Sequence, residues 1–314
     1  MMVAYDESVS RTVVTGATGM IGRELVAALL QRGDEVRVLV RDPDRAASSL
    51  PGRVEVFHWP DPAVAPPPAE ALAGAGGVVN LLGEPISQRW SADSKRRIHD
   101  SRVLGTRNLV AAVAAVPEGE RPVALVSGSA VGYYGARDAE ELDESAPAGT
   151  DFLAGVVRAW EAEALAAASL GVRVAVTRTG VVLSRAGGAL EQMLPPFRLG
   201  LGGPLAGGRQ YIAWVHLADV VGALIALLDD SRARGPVNLS APTPVTNREF
   251  SRTLGRVLGR PAVLPVPRLA VSLLYGEMGE IVVTGQRAIP AALTGLGYRF
   301  HWPELQPALA DVVG

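Results

Sequence analysis

Cysteine is absent from the 314 residues. That excludes a disulfide framework, a thiolate metal site and a cysteine nucleophile, and it fits a reducing compartment. Histidine is scarce, with four scattered residues, which argues against a zinc site. No apolar run reaches the ~18 residues of a membrane span. The opening segment MMVAYDESVSR carries Asp6 and Glu7 and no apolar core, so it does not read as a secretory signal. A soluble, cytoplasmic protein is expected. Neither sign of charge dominates: 30 basic and 32 acidic side chains leave a net charge of −2. Nucleic acid and anionic membranes are therefore not expected as main partners. Lysine is nearly absent: Lys95 is the only one, and the rest of the 30 Lys and Arg side chains are arginine.

What the chain does have is apolar residues, 48 % of the total, enough for a large core. Short apolar runs alternate with helical segments. RTVVTG (11–16), DEVRVLVR (34–41), RVEVFHW (53–59), GVVNLLG (77–83), PVALVSGSA (122–130) and VRVAVTRTGVVL (172–183) read as six strands. Helices are expected after the first strand, over about 91–115, from Asp151 onward and within AWVHLADVVGALIALLDD (213–230). Continuous apolar strands alternating with helices predict an α/β fold with a doubly wound parallel sheet covered on both faces. In DFLAGVVRAWE (151–161), Asp151 is a fair N-cap and the apolar spacing is helical. After residue 183 the chain becomes rich in Gly and Pro, and LPPFRLGLGGPLAGGRQ (194–210) reads as a loop, either a lid or a plain connection. The expected division is a nucleotide-binding domain over 11–183, rejoined by 210–240. A smaller C-terminal α/β substrate lobe would comprise 184–209 and 241–314.

Between the first strand and its helix lies TGATGMIG, with Gly16, Gly19 and Gly22. In a Rossmann phosphate loop the first glycine permits the tight turn, the second lets backbone approach a pyrophosphate, and the third allows helix to pack on strand. Free amides at the helix start then bind the anion. At the end of the second strand an NAD site wants an acidic residue. Here Arg41 stands there, with Asp42 beside it and Arg45 four residues on. An arginine suits a 2′-phosphate, so NADP(H) is expected over NAD(H).

These motifs carry a resemblance. TGATGMIG, NLLGEPI, RWSADSKRRIHDSRVLGTRNLV, SGSAVGYYG, DFLAGVVRAWE, LGGPLAGGRQYIAWVHLADVV, APTPVTNREF and MGEIVVTGQRAIP resemble the extended, epimerase-like branch of the short-chain dehydrogenase/reductase superfamily. More closely, the chain is similar to its atypical subgroup of "epimerase family proteins". The resemblance implies a nicotinamide cofactor along the carboxyl ends of the strands. The cofactor-binding candidates are then Gly16, Thr18, Gly19, Met20, Ile21 and Gly22 in the loop, and Arg41 after the second strand. Leu81, Leu82 and Gly83 after the fourth strand, with Arg102, Ser127 and Thr179, complete the set. An unknown small-molecule substrate is implied, and a homodimer is allowed.

Ordinary members of the superfamily begin the helix at 152 with Tyr-x-x-x-Lys, the proton carrier and its supporting cation. Here the aligned pair is Phe152/Val156 or Leu153/Val157, and neither can move a proton. The residue four before Lys95 is Ser91, so the motif occurs nowhere in the chain. The usual asparagine aligns with Arg102; the serine survives as Ser129. The catalytic candidates are Ser129, Tyr133 and Arg102, the last able to hold an oxyanion, a phosphate or a carboxylate. Tyr134, Glu84 and His216 are further candidates; His216 also reads as a backbone-bonded residue beside Asp219, and Trp160 and Glu161 as ties between helix and sheet. Two functions stay open: an oxidoreductase or epimerase-like enzyme with unconventional acid/base chemistry, or a non-catalytic NADP(H)-binding sensor.

Overall fold

The computed structural model describes residues 10–314, apart from the side chain of Leu274. The segment read as lacking a secretory signal lies almost wholly outside the described residues.

Seven parallel strands form the central sheet. They are β1 Arg11–Thr15, β2 Glu35–Val40, β3 Glu55–His58, β4 Gly77–Asn80, β5 Ala124–Ala130, β6 Arg173–Thr179 and β7 Gly235–Leu239. Their spatial order is β3-β2-β1-β4-β5-β6-β7. The order reverses between β1 and β4, which opens a crevice at the carboxyl ends of those strands.

The apolar runs are continuous because both faces are covered. Neighbouring residues point to opposite layers: Val14, Val38, Val79 and Val126 join one buried cluster, while Val13, Leu39, Val78 and Leu125 join another. The first cluster lies under α1 (Met20–Arg32), which supplies Leu25 and Leu29, and under the helix Leu217–Asp229, which supplies Val220 and Leu224. The second lies under the long helix Ala92–Ala115, which supplies Leu109 and Val113, and under Phe152–Leu165, which supplies Ala164. In chain order α2 is Pro43–Ser49, α3 Ala92–Ala115, α4 Phe152–Leu165, α5 Ala189–Arg198, α6 Leu217–Asp229 and α7 Asn247–Val257. Local signals set the starts of α3 and α4. Ser91 and Ser94 form a reciprocal capping box at α3, and Asp151 accepts the Ala154 N–H at 2.9 Å at α4.

A third cluster gathers Leu183, Leu190, Phe197, Trp214, Phe250, Leu254 and Leu309. It joins α5, α7 and the last helix, Leu305–Val313. The intervening stretch 292–300 packs instead on the sheet, through Leu293, Tyr298 and Phe300.

Three expectations about element bounds need correction. The run 172–183 is not one strand: β6 ends at Thr179, and Val181–Leu183 pairs with Trp214–His216. Gly180 makes the break, because a Cβ there would lie 2.1 Å from the Ala213 carbonyl oxygen. For the same reason the first residues of the segment read as helix, Trp214–His216, are extended, and α6 begins at Leu217. Finally, the stretch read as loop starts as α5, which runs through Pro195 and Pro196 to Arg198. Each proline gives up the amide bond to the residue four earlier, Glu191 or Gln192, while its fixed φ is compatible with the helical backbone. Beyond α5 the glycine-rich stretch is pinned: Pro204 accepts the Val266 N–H and Ala206 donates to the Val266 carbonyl.

Candidate functional site

The carboxyl end of β1 turns at Gly16, whose φ is +64°. A Cβ there would lie 2.5 Å from the Leu81 carbonyl oxygen, and one on Gly22 would lie 2.3 Å from the oxygen of Gly16. The loop therefore closes only with hydrogen at both places. Gly19 is the N-cap of α1; no side chain caps this helix and its first turn holds no acid. The amides of Met20 and Ile21 are thus left to an outside acceptor, at the positive end of the helix dipole. Thr18, Met20 and Ile21 are half-buried at this mouth. Arg41 and Arg45 are exposed at the end of β2. Asp42, the competitor for a ribose hydroxyl, is turned away: its carboxylate caps α2 by accepting the Arg45 N–H at 3.0 Å.

Two polar rungs cross the sheet at the crevice. The first aligns Thr15, Asn80 and Ser127 on β1, β4 and β5. Thr15 Oγ1 donates to Asn80 Oδ1 (2.8 Å) and accepts the Leu81 N–H (3.0 Å). Asn80 Nδ2 donates to Thr106 Oγ1 (2.9 Å) and Ser127 Oγ (3.1 Å), and Trp160 Nε1 donates to Thr106 Oγ1 (3.0 Å). Every member is buried, so the network satisfies groups that would otherwise be costly, and it fixes where Leu81, Leu82 and Gly83 leave the sheet. Ser127 is fully buried within this network. Arg102 packs its guanidinium against Gly83 and over the Trp160 ring (5.3 Å), donating to the carbonyls of Glu84 (3.0 Å) and Ile98 (3.1 Å). Burial draws its pKa down to about 10, against the pull of the Glu84 carboxylate, so it stays cationic at neutral pH.

The second rung aligns Ser129, Arg178 and Asn238 on β5, β6 and β7. Arg178 grips Glu161 of α4 through Nε (2.8 Å) and Nη2 (2.9 Å), with both side chains under 10 % exposed (4 % and 7 %). Ser129 Oγ donates to the same carboxylate at 2.5 Å. Burial opposes the charge on Arg178, but the hydrogen bonds and charge of Glu161, with help from Tyr134, outweigh it and raise its pKa. Arg178 also donates to the Tyr134 hydroxyl (3.0 Å), which lies 2.7 Å from Asn238 Oδ1. Burial raises the Tyr134 pKa, and the phenol is locked in place. Tyr133 differs. Its ring stacks on the Arg178 guanidinium at 3.4 Å; it is half-buried, and its hydroxyl makes no hydrogen bond among the described residues.

The turn that carries Tyr133 (Val131–Tyr134) packs on α4 through Gly132 and Leu153. Leu153 and Phe152 are the two positions aligned with the missing tyrosine. Val156 and Val157, aligned with the missing lysine, are buried at 3 % and 4 % exposure. Phe152 instead meets Trp90 edge to face, with centroids 5.2 Å apart. Arg178 was not among the residues expected from sequence, and Glu161, expected only as a tie to the sheet, is one half of the buried pair. Thr179 is half-buried at the end of β6, its hydroxyl on the Thr177 carbonyl. Glu84 turns toward Arg97. His216 lies elsewhere: its Nδ1 accepts the Ala218 N–H (3.1 Å) and caps α6, and its Nε2 faces Asp311 (3.2 Å).

The model of the NAD dependent epimerase/dehydratase family matches residues 12–240. The chain belongs to that family. Residues 266–312 of this family member match a domain of unknown function, DUF1731. A chloroplastic epimerase family protein of Arabidopsis thaliana, an SDR39U1 homolog, is 40 % identical over 98 % of the chain and 88 % of its own length. An epimerase family protein of Mycobacterium tuberculosis is 43 % identical over 94 % of the chain and 95 % of its own. The crystal structure of human epimerase family protein SDR39U1 with NADPH superposes with a TM-score of 0.84 at 36 % identity, covering 96 % of this chain and 98 % of that one. Among the described residues no helix is long and apolar enough to cross a membrane.

Two predictions follow from the second rung and from His216. Arg178→Met leaves the Glu161 charge buried and unpaired and costs about 3–5 kcal/mol. The double variant Arg178→Met/Glu161→Gln recovers much of that loss; urea unfolding of both reads the difference. Burial lowers the His216 pKa despite Asp311 and Asp219. The unfolded chain, titrating near ~6.5, then binds the proton first. Stability is full above that value and falls as pH drops through it toward the folded pKa. His216→Asn, which keeps a cap, flattens this slope in melts between about pH 5 and 7.

Proposed function

We propose that the protein is an NADP(H)-dependent enzyme, an oxidoreductase or epimerase-like isomerase acting on a small carbonyl or sugar-like substrate. One observation carries the cofactor choice: Arg41 stands exposed at the end of β2 while the Asp42 carboxylate is spent on capping α2. A pyrophosphate fits the hydrogen-only approach at Gly16 and Gly22 and the uncapped start of α1. Arg41 would hold the 2′-phosphate, with Leu81, Leu82 and Gly83 lining the crevice and Arg102 beneath them. The NADPH in the crystal structure of the human relative agrees with this choice. Bound NADP(H) supplies a hydride donor or acceptor.

Tyr133 is the proton carrier in this scheme. Its turn packs on Leu153, so it presents a phenol beside the place where α4 lacks one. In the reductive direction the carbonyl carbon gains the hydride and its oxygen gains the Tyr133 proton, which solvent restores. Arg178 under the ring offsets the phenolate charge that forms. Ser129 gives its one hydrogen to Glu161, so toward a ligand it can only accept. That same commitment favours the second reading, a sensor that binds NADP(H) without turnover. We place the protein in the cytoplasm on the composition of its chain.

The deciding experiment is a fluorescence titration with NADPH and NADH. Wild-type protein binds NADPH more tightly, and Arg41→Ala loses about ten- to a hundredfold in NADPH affinity with little change for NADH. Equal binding of both nucleotides would reject Arg41 as the phosphate reader. Tyr133→Phe abolishes NADPH oxidation by aldehydes and ketones while leaving NADPH affinity intact. Binding without any carbonyl-dependent oxidation would favour the sensor.

A further inference from the structure

The single lysine of the chain stands where the scheme above does not use it. Lys95 lies in the first turn of α3, just past the Ser91 cap. Its Nζ is 2.5 Å from Glu277 Oε1, 5.0 Å from the centroid of Phe152 and 5.8 Å from that of Trp90. Three separate parts of the chain meet there. Trp90 ends the segment that leaves β4, Phe152 opens α4 at a position aligned with the missing tyrosine, and Glu277 belongs to the turn Gly276–Met278. Two aromatic faces wall the ammonium, and a carboxylate covers it.

That carboxylate is exchangeable. Glu277 is 54 % exposed and Lys95 28 %, and pairs so open to water hold their partners weakly. The Glu161–Arg178 pair, sealed from water, is the opposite case. The turn bearing Glu277 begins at Gly276 with φ +60°. On it lies the side chain of Arg89, which is exposed and has no hydrogen bond or ion pair among the described residues. Every other Lys or Arg position is a planar guanidinium; an ammonium is a compact charge with three rotatable donors that suits a corner beside two touching aromatic rings.

We propose that Lys95, assisted by Arg89, is an anion-binding subsite at the entrance to the site, where a carboxylate or phosphate group of the substrate replaces Glu277. The inference rests on the enzyme reading above. Glu277 is the internal stand-in for the ligand's anion, and its release frees the 276–278 turn when substrate arrives. Trp90 and Phe152 flank the ammonium and leave the side now held by Glu277 for the ligand.

The lone lysine makes the test direct, because the chain then has only two primary amines, Lys95 and the α-amine. Protein saturated with NADPH is treated with an amine-directed acylating reagent, and both sites are followed by peptide mass spectrometry. Inorganic phosphate and acetate are the probes, with chloride holding ionic strength constant. Either probe should slow acylation of Lys95 by about tenfold and leave the α-amine unchanged, as expected for a charge-assisted contact. The stronger probe tells whether the subsite prefers phosphate or carboxylate. Glu277→Gln should raise the acylation rate of Lys95 without probe and lower the probe concentration needed for protection. Equal slowing of both amines, no protection by either probe, or a Glu277→Gln variant that protects at unchanged concentration would each overturn the proposal. NADPH fluorescence is read in the same samples. Loss of NADPH binding overturns the cofactor reading, whereas normal NADPH binding with an unprotected Lys95 overturns only the subsite.

Discussion

A carboxylate and a guanidinium that water barely reaches, Glu161 and Arg178, hold four parts of this chain together. Glu161 brings α4 to the sheet and accepts the hydrogen bond of the Ser129 hydroxyl from β5. Arg178 carries the connection across β6 to Tyr134 and, through it, to Asn238 on β7. Asn238 in turn donates to the carbonyls of Leu142 and Ile289, fastening one earlier and one later segment to β7. A buried pair of this kind is weak evidence for net stability. Its use here is geometric: it decides where the Tyr133 ring lies and which way Ser129 points.

The pair also changes the chemistry that can be done on a familiar frame. In the ordinary pattern a tyrosine and a lysine on one turn of α4 move the proton. Here that face of α4 is apolar at its start and acidic one turn deeper. Charge lies in the sheet at Arg178, and the turn after β5 carries Tyr133, whose hydroxyl makes no hydrogen bond among the described residues. The crevice itself is unaffected, because it depends on Gly16, Gly22 and the Thr15–Asn80 bond rather than on α4.

Much of the frame was legible in the sequence. Apolar runs give strands when neighbours must face opposite layers, so Val13 and Val14, or Val78 and Val79, mark the sheet by themselves. The glycine spacing is readable because hydrogen alone fits at Gly16 and Gly22. Asp151 announced its helix through capping chemistry. The misses have a common cause: a tertiary contact that no local pattern carries. Gly180 interrupts an apolar run because the Ala213 carbonyl lies against it. Trp214–His216 is extended because Val181–Leu183 offers it an edge. Arg178 did leave a signal: a charged residue inside VAVTRT must be either exposed or paired once buried. Glu161, on the helix that precedes the strand, was the partner to look for.

The third cluster has a consequence for how the chain is made. It joins Leu183, just beyond β6, to Leu305 and Leu309 on the last helix, and Asp311 of that helix faces the imidazole that caps α6. The sheet's strands can pair as they leave the ribosome. The face of α7 that meets this helix cannot be covered until the final turns emerge. From the end of α7 at Val257 until Leu305 emerges that apolar face stands open, and a nascent chain stalled before residue 305 is the species a chaperone would have to hold.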